Sequence, residues 1–296
     1  MSAANSALSS GQGRLRRRQL IGRFANFMFM LATIFGILIL AVLLFDIISD
    51  GASVIDRDFF TNFPSRFPDQ AGIRPALMGT IWVMGLTAFV TFPVGVGAAI
   101  YLEEFAPPGK ITTIIRTNIS NLAGVPSIVY GLLGLGIFVQ LLSMGRSIGA
   151  AGITLSLLVL PVVIISSREA IRAVPDSLRQ GGLALGATRL QVVRSHVLPA
   201  AMPGILTGTI LALSRAIGET APLIVVGAVA FLNFTPDSLS SGYSVLPMAI
   251  YGWAARPQEE FHAVAAGAII VLLAVLLTMN MGAILLRNHF QNKQRG

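Results

Sequence analysis

The chain has 296 residues, 54% of them hydrophobic and 11% charged, with a formal net charge of +8. A soluble globular domain carries about 25% charged residues, so lipid is the expected solvent, in agreement with a mean hydropathy of +0.76. The basic residues flank apolar runs instead of clustering with aromatics on one face, which argues against nucleic acid as a partner. The absence of cysteine excludes disulfides, thiolate metal sites and a cysteine nucleophile.

Residues 1–23 read as a basic tail, followed by an apolar run at 24–45. That run exceeds the roughly 7–15-residue core of a secretory signal and has no small-x-small site after it, so an uncleaved anchor helix is expected. A bilayer span needs about 20 apolar residues. Six segments qualify: Phe24–Phe45, Ala76–Leu102, Ile119–Leu142, Ile148–Ser166, Gly204–Leu232 and Ala263–Leu286. The expected fold class is therefore an all-α integral membrane protein with six transmembrane helices. Its core covers 76–286, with an outer loop at 46–75 and a second tail at 287–296. Pro93, Pro126, Pro161 and Pro222 lie in or near these runs, where neighbouring groups in a bundle satisfy the freed carbonyls. Gly131, Gly134, Gly136 and the Gly204-x-x-x-Gly208 pair are expected at close helix contacts.

Orientation follows from the lysines and arginines. With the N-terminus inside, Arg14, Arg16, Arg17, Arg18, Arg23, Lys110, Arg116, Arg168, Arg172, Arg179, Arg189, Arg194, Arg287, Lys293 and Arg295 are cytoplasmic. Arg57, Arg66, Arg74, Arg146 and Arg256 are outside, a bias of 15 to 5 that places both termini in the cytoplasm. The long outer segments are then Asp46–Pro75 and Asn233–His262. In the second, Tyr251 and Trp253 suit a membrane interface, and Pro257, Glu259 and Glu260 suit the first turn of the last helix.

Between the fourth and fifth runs lies a polar loop, 174–203, whose centre reads QGGLALGATRLQVVRSHVLP from Gln180 to Pro199. Thr188 and Gln191 have the capping-box spacing. Two short helices joined at Gly186 are expected to make a rigid knob beside the membrane. Farther on, Arg215 and Glu219 share a helix face at i, i+4 inside an apolar run. Each costs about 2.5–3.5 kcal/mol at mid-membrane, and a surface-type pairing of a few tenths of a kcal/mol does not offset that. The pair is expected to face a cavity, a partner helix or a hydrated path, as a site on a polar or anionic route. Buried pairing to fix helix register is the plainer alternative.

Other patterns carry little. Gly145-Arg146-Ser147-Ile148-Gly149 matches G-x-S-x-G but lies in a short turn between apolar runs, without the strand that the motif requires. Asp46, Asp50, Asp56, Asp58 and Asp69 lack calcium-loop spacing. No G-x-x-x-x-G-K-[ST] or H-E-x-x-H occurs. His196, His262 and His289 read as surface residues.

The polar loop resembles the cytoplasmic coupling motif of ATP-binding-cassette importer permeases, E-A-A-x-x-x-G-A-x(8)-I-x-L-P. Gly186, Ala187, Leu198 and Pro199 match it. Gln180, Gly181 and Gly182 stand at the E-A-A positions and His196 at the Ile position, so Gln180 keeps hydrogen-bonding reach without the charge. LAGVPSIVYGLLGL at Leu122–Leu135 and SRAIGETAPL at Ser214–Leu223 look like the permeases of the phosphate-specific importer, closer to its A-type than its C-type subunit. The resemblance covers roughly Ile73–Leu286 and implies a type I importer bundle in a bacterial inner membrane, with 46–75 periplasmic. It implies no catalytic residue or metal site in this chain and no cofactor of its own. ATP and magnesium would belong to two partner ATP-binding subunits, beside a second, C-type permease and an external phosphate-binding protein docked on the outer segments. It further implies that the knob sits in an ATPase groove and that Arg215 attracts phosphate. Glu219 would hold Arg215 in its absence, and Arg168 would stand near the exit. Rival expectations are a permease for another oxyanion or polar solute, a passive channel or ion-coupled carrier, and an intramembrane hydrolase using Ser147.

Overall fold

A computed structural model describes the backbone of residues 2–295 and the side chains of 18–288 except residues 20 and 286. The side chains of Arg14, Arg16, Arg17, His289, Lys293 and Arg295, all named above, lie outside the described residues. The chain divides between Ser49 and Asp50 into two compact units. The first consists of helix α1 (Ser2–Gly51) almost to its end, so the basic tail and the first span form one continuous helix.

The second unit holds the remaining elements. Helix α2 (Arg57–Thr61) is capped by Asp56, whose Oδ1 accepts the Phe59 N–H at 2.7 Å. Helix α3 (Arg74–Ile100) begins with Pro75 in its first turn and opens into a wide, π-type turn at Tyr101–Phe105. The third expected span is not straight. Helices α4 (Lys110–Ala123) and α5 (Ser127–Gly134), the latter prolonged by a wide turn at Leu135–Leu141, meet at 101°. Pro126 supplies no N–H and disfavours the α region for the residue before it, in keeping with the end of α4 at Ala123.

Helix α6 (Ile148–Arg172) is the central element, 67% of its most apolar stretch being buried. Ser147 is its N-cap, accepting the Ala150 N–H at 3.3 Å, which accounts for the G-x-S-x-G match. Then follow α7 (Asp176–Ala184), α8 (Arg189–Val192), a wide turn at Val193–Val197 and α9 (Leu198–Ala216). The fifth span is therefore Arg189–Ala216 and not Gly204–Leu232. The helix extends back into the knob and stops before Gly218. Helix α10 (Ala221–Val226) ends at the left-handed Gly227, with φ of +116°. Last come α11 (Leu246–Ala254) and α12 (Glu260–Arg295), the latter with Glu260 in its first turn as expected, whereas Pro257 and Glu259 lie before the helix and not in it. Tyr251 is exposed, but Trp253 is fully buried with Phe59, Leu246 and Phe261, so it is a core residue and not an interfacial one.

Helix α6 packs against α3, α5 and α9, and small residues set the approach. A Cβ on Gly204 would lie 2.8 Å from that of Ala170, and one on Gly208 would collide with Ser166. Gly134 abuts Thr154, and Gly131 abuts Pro222 of α10, whereas Gly136 faces open space. Hydroxyls inside the bundle bond back to their own helices, as Thr87 does to the Val83 carbonyl at 2.8 Å. Among the described residues five helices are long and apolar enough to cross a membrane, and there are six spans if the bent α4–α5 pair is counted as one.

Candidate functional site

The knob is built by local chemistry. Thr188 and Gln191 form a complete capping box, Gln191 Oε1 accepting the Thr188 N–H at 2.7 Å. Helix α7 ends in a Schellman closure: the Gly186 N–H donates to the Leu183 carbonyl at 3.0 Å, and the Ala187 N–H to the Gly182 carbonyl at 3.2 Å. This requires Gly186 to be left-handed, with φ of +82°. Ala187 then packs with Leu198 against the buried cluster of Ile171, Val174, Val192 and Val197. Of the glycine pair, Gly182 is buried, and a Cβ there would lie 2.8 Å from Val192 Cγ2, whereas Gly181 has open space. The departure at 182 thus brings α7 close to α8. Gln180 and Pro199 are exposed, and the tip carries the exposed Leu183, Leu185 and Leu190. The wide turn at Val193–Val197 ends two residues before Pro199, whose ring would strike the i−4 carbonyl of a regular helix.

Arg215 and Glu219 do not share one helix. Helix α9 ends at Ala216, leaving Arg215 in its last turn, and Glu219 lies just before α10. Arg215 Nε stands 3.5 Å from Glu219 Oε1; the arginine side chain is 69% exposed and the glutamate 17%. This break faces the other one. Arg215 and Ala216 line a cavity of about 30 Å³ with Val125, Ser127 and Tyr130 of the α4–α5 bend and Val159 of α6. The α4–α5 bend and the end of the fifth span therefore converge on one small polar-edged space, with a guanidinium at its rim.

Arg168 is held elsewhere. Its guanidinium reaches Glu103 at 2.7 Å, both side chains being nearly buried. Beside it Glu104, in the wide turn after α3, receives Arg179 of α7 at 2.8 and 3.0 Å. Sequence reading missed both carboxylates, because an acidic pair at the end of an apolar run reads as solvated. In the loop between α10 and α11 the Ser241 hydroxyl donates to Asp237 at 2.8 Å, which holds that carboxyl below the usual range, so it stays charged in mild acid.

The sequence profile of the family described as binding-protein-dependent transport system inner membrane component matches residues 91–290. The probable ABC transporter permease protein YqgI of Bacillus subtilis is 34% identical over 278 residues, covering 90% of this chain and 95% of that one. Phosphate transport system permease protein PstA 1 of Mycobacterium tuberculosis is 32% identical, with coverage of 92% and 90%. PstA of Xylella fastidiosa is 30% identical, with coverage of 96% and 99%. A chain of the bacterial alginate ABC transporter, solved with an alginate pentasaccharide-bound periplasmic protein, superposes with a TM-score of 0.66 at 18% identity, over 88% of this chain and 92% of that one. A chain of the inward-facing methionine transporter MetNI gives 0.61 at 17%, over 73% and 94%. At such identities the structural likeness is one of fold, and the fold is that of the type I importer permeases.

Proposed function

The chain belongs to the binding-protein-dependent transport system inner membrane component family, and from that premise we propose that it is the A-type permease of an ATP-driven importer of inorganic phosphate in a bacterial inner membrane. Relatives named as phosphate permeases at 30–32% identity over nearly the whole chain support the substrate class. The observation that carries the proposal is Arg215, a well-exposed guanidinium where the end of the fifth span meets the α4–α5 bend, loosely paired across 3.5 Å. A planar fork of donors suits an oxyanion. Glu219 holds that fork when no anion is present and, by competing, keeps binding weak enough for release.

The 30 Å³ cavity admits about one water, so passage of phosphate requires the two breaks to part. In this mechanism the movement comes from outside the chain. Two ATP-binding subunits, which hold the ATP and magnesium, grip the knob through the apolar tip at Leu183, Leu185 and Leu190. A C-type permease completes the path, and an external phosphate-binding protein docks on the outer segments. Both termini are cytoplasmic, and Arg168, held by Glu103, lies toward the inner exit.

The test is phosphate uptake by the assembled complex in proteoliposomes. Arg215→Ala removes a charge-assisted contact worth about 1.5–3 kcal/mol, so uptake should fall roughly tenfold to hundredfold. Arg215→Lys should recover part of it, Glu219→Gln should alter the rate, and excess sulfate should not compete. Near-normal uptake in all three variants removes the pair from the path.

A further inference from the structure

Glu103 and Glu104 are adjacent in the wide turn Tyr101–Phe105, yet they serve different bodies. Glu103 faces the bundle: Oε1 lies 2.7 Å from Arg168 Nη2 of α6 and 3.6 Å from Arg116 Nη2 of α4. Glu104 faces the knob. It is 4% exposed and accepts from Arg179 Nε at 3.0 Å and Nη2 at 2.8 Å. The same guanidinium donates to the Val174 carbonyl at 2.7 Å, the Ile171 carbonyl at 2.9 Å and Asp176 Oδ1 at 3.0 Å. Arg179 therefore pins α7 both to the inner end of α6 and to the inner end of α3. Arg189 of α8 adds a contact of its own, lying 5.8 Å from the ring centroid of Phe105 in the same turn.

Along the sequence α4, α5 and α6 separate α3 from the knob, and in space the other contact is apolar, Val96 and Ala99 of α3 sharing a buried cluster with Val174, Val192 and Val197. Both bonds to Glu104 end on one carboxylate oxygen, Oε1, so this buried charge-assisted link resists stretching, while the two carbonyl bonds and the bond to Asp176 fix the orientation of the guanidinium. A displaced knob consequently drags the turn, and the turn is the covalent end of α3, which lies along α6.

We propose that the Glu104–Arg179 pair is the linkage that converts knob displacement into movement of α3 against α6. Both are positioning residues for the coupling of ATP hydrolysis to transport. The linkage rests on the importer function proposed above. Lysine cannot replace Arg179, because it offers a point charge without the fork that reaches Glu104 and two carbonyls together.

The test uses the complete importer complex in proteoliposomes, with its external binding protein and inorganic phosphate, and reads phosphate imported per ATP hydrolysed. Glu104→Gln keeps the shape of the side chain and leaves the carbonyl bonds of Arg179 intact; Arg179→Lys keeps the charge. Both variants should assemble and hydrolyse ATP in response to the loaded binding protein, while phosphate per ATP falls about tenfold, the loss of one charge-assisted buried contact. The double variant should be no worse than either single one, since both act through one bond. An unchanged ratio in Glu104→Gln overturns the linkage, as does an equal fall in uptake and hydrolysis. Failure of either variant to co-purify with the ATPase subunits also overturns it, because the pair then serves folding and not motion. A wild-type complex that imports no phosphate refutes the substrate assignment instead. The linkage is then judged by amide exchange across residues 176–192, which Glu104→Gln should accelerate and whose constancy overturns it.

Discussion

Gly186 is the sharpest place to perturb the knob, because its requirement is conformational and its neighbours are known. Its φ of +82° is left-handed. Alanine there keeps both closing hydrogen bonds and costs only the left-handed backbone, about 1–2 kcal/mol. Proline fixes φ near −65°, roughly 150° from the observed value, and deletes the N–H that donates to Leu183. It also swings Ala187 away from the Gly182 carbonyl and from the Ile171–Val174 cluster. With each bond worth about 1 kcal/mol, the total is about 3 kcal/mol or more, confined to a unit that closes on itself. The prediction is graded: Gly186→Ala transports at a reduced rate, whereas Gly186→Pro inserts normally but loses both import and the stimulation of ATP hydrolysis by the loaded binding protein. Membrane abundance, uptake and stimulated hydrolysis are measured on one preparation. Retained stimulation in Gly186→Pro, or equal damage from alanine and proline, would refute the geometric reasoning.

Three further substitutions probe packing and capping. Gly208→Leu drives bulk into Ser166 and should separate α9 from α6; overpacking of this kind costs about 1–3 kcal/mol and should lower the detergent-solubilised melting temperature, while Gly136→Ala, facing open space, should leave it unchanged. Ser147→Ala removes the N-cap of α6 at a cost of about 1 kcal/mol, yet transport should persist; complete loss of activity at normal abundance would restore the hydrolase alternative.

The parts of this structure readable in advance are those specified within a few residues. Thr188 and Gln191 identify their own box, and Gly186 marks a joint because only glycine is comfortable left-handed. The Gly204–Gly208 pair likewise marks a contact, although its partner on α6 is not evident from it. Segment boundaries were harder. A hydropathy window passes over the polar residues Arg189–His196, so the fifth span was placed too late although the helix is continuous through them. The same window merged α4 and α5, although Gly124 and Pro126 carry the break signal. The Glu103–Arg168 and Glu104–Arg179 pairs span 65 and 75 residues. No local pattern links partners so distant, and only the bundle brings them together.

The helix break at Ile217–Thr220 resolves the energetic conflict that the sequence raised. An uninterrupted helix would hold Arg215 and Glu219 in an apolar environment at about 2.5–3.5 kcal/mol each, with a weak mutual attraction as the only relief. Ending α9 at Ala216 instead places the arginine beside the last carbonyls, which carry about −0.5 charge, and the glutamate before α10, whose N-terminus carries about +0.5. Such a placement stabilises by about 0.3–1 kcal/mol for an exposed group such as Arg215 and by up to about 2 kcal/mol for a partly buried one such as Glu219. The guanidinium thus depends less on Glu219 than a lone buried pair would, in keeping with the open 3.5 Å separation. An anion entering the cavity therefore has to displace a loose partner and not a tight one. On this account the interruption of the helix, more than the ion pair itself, keeps Arg215 available to an oxyanion.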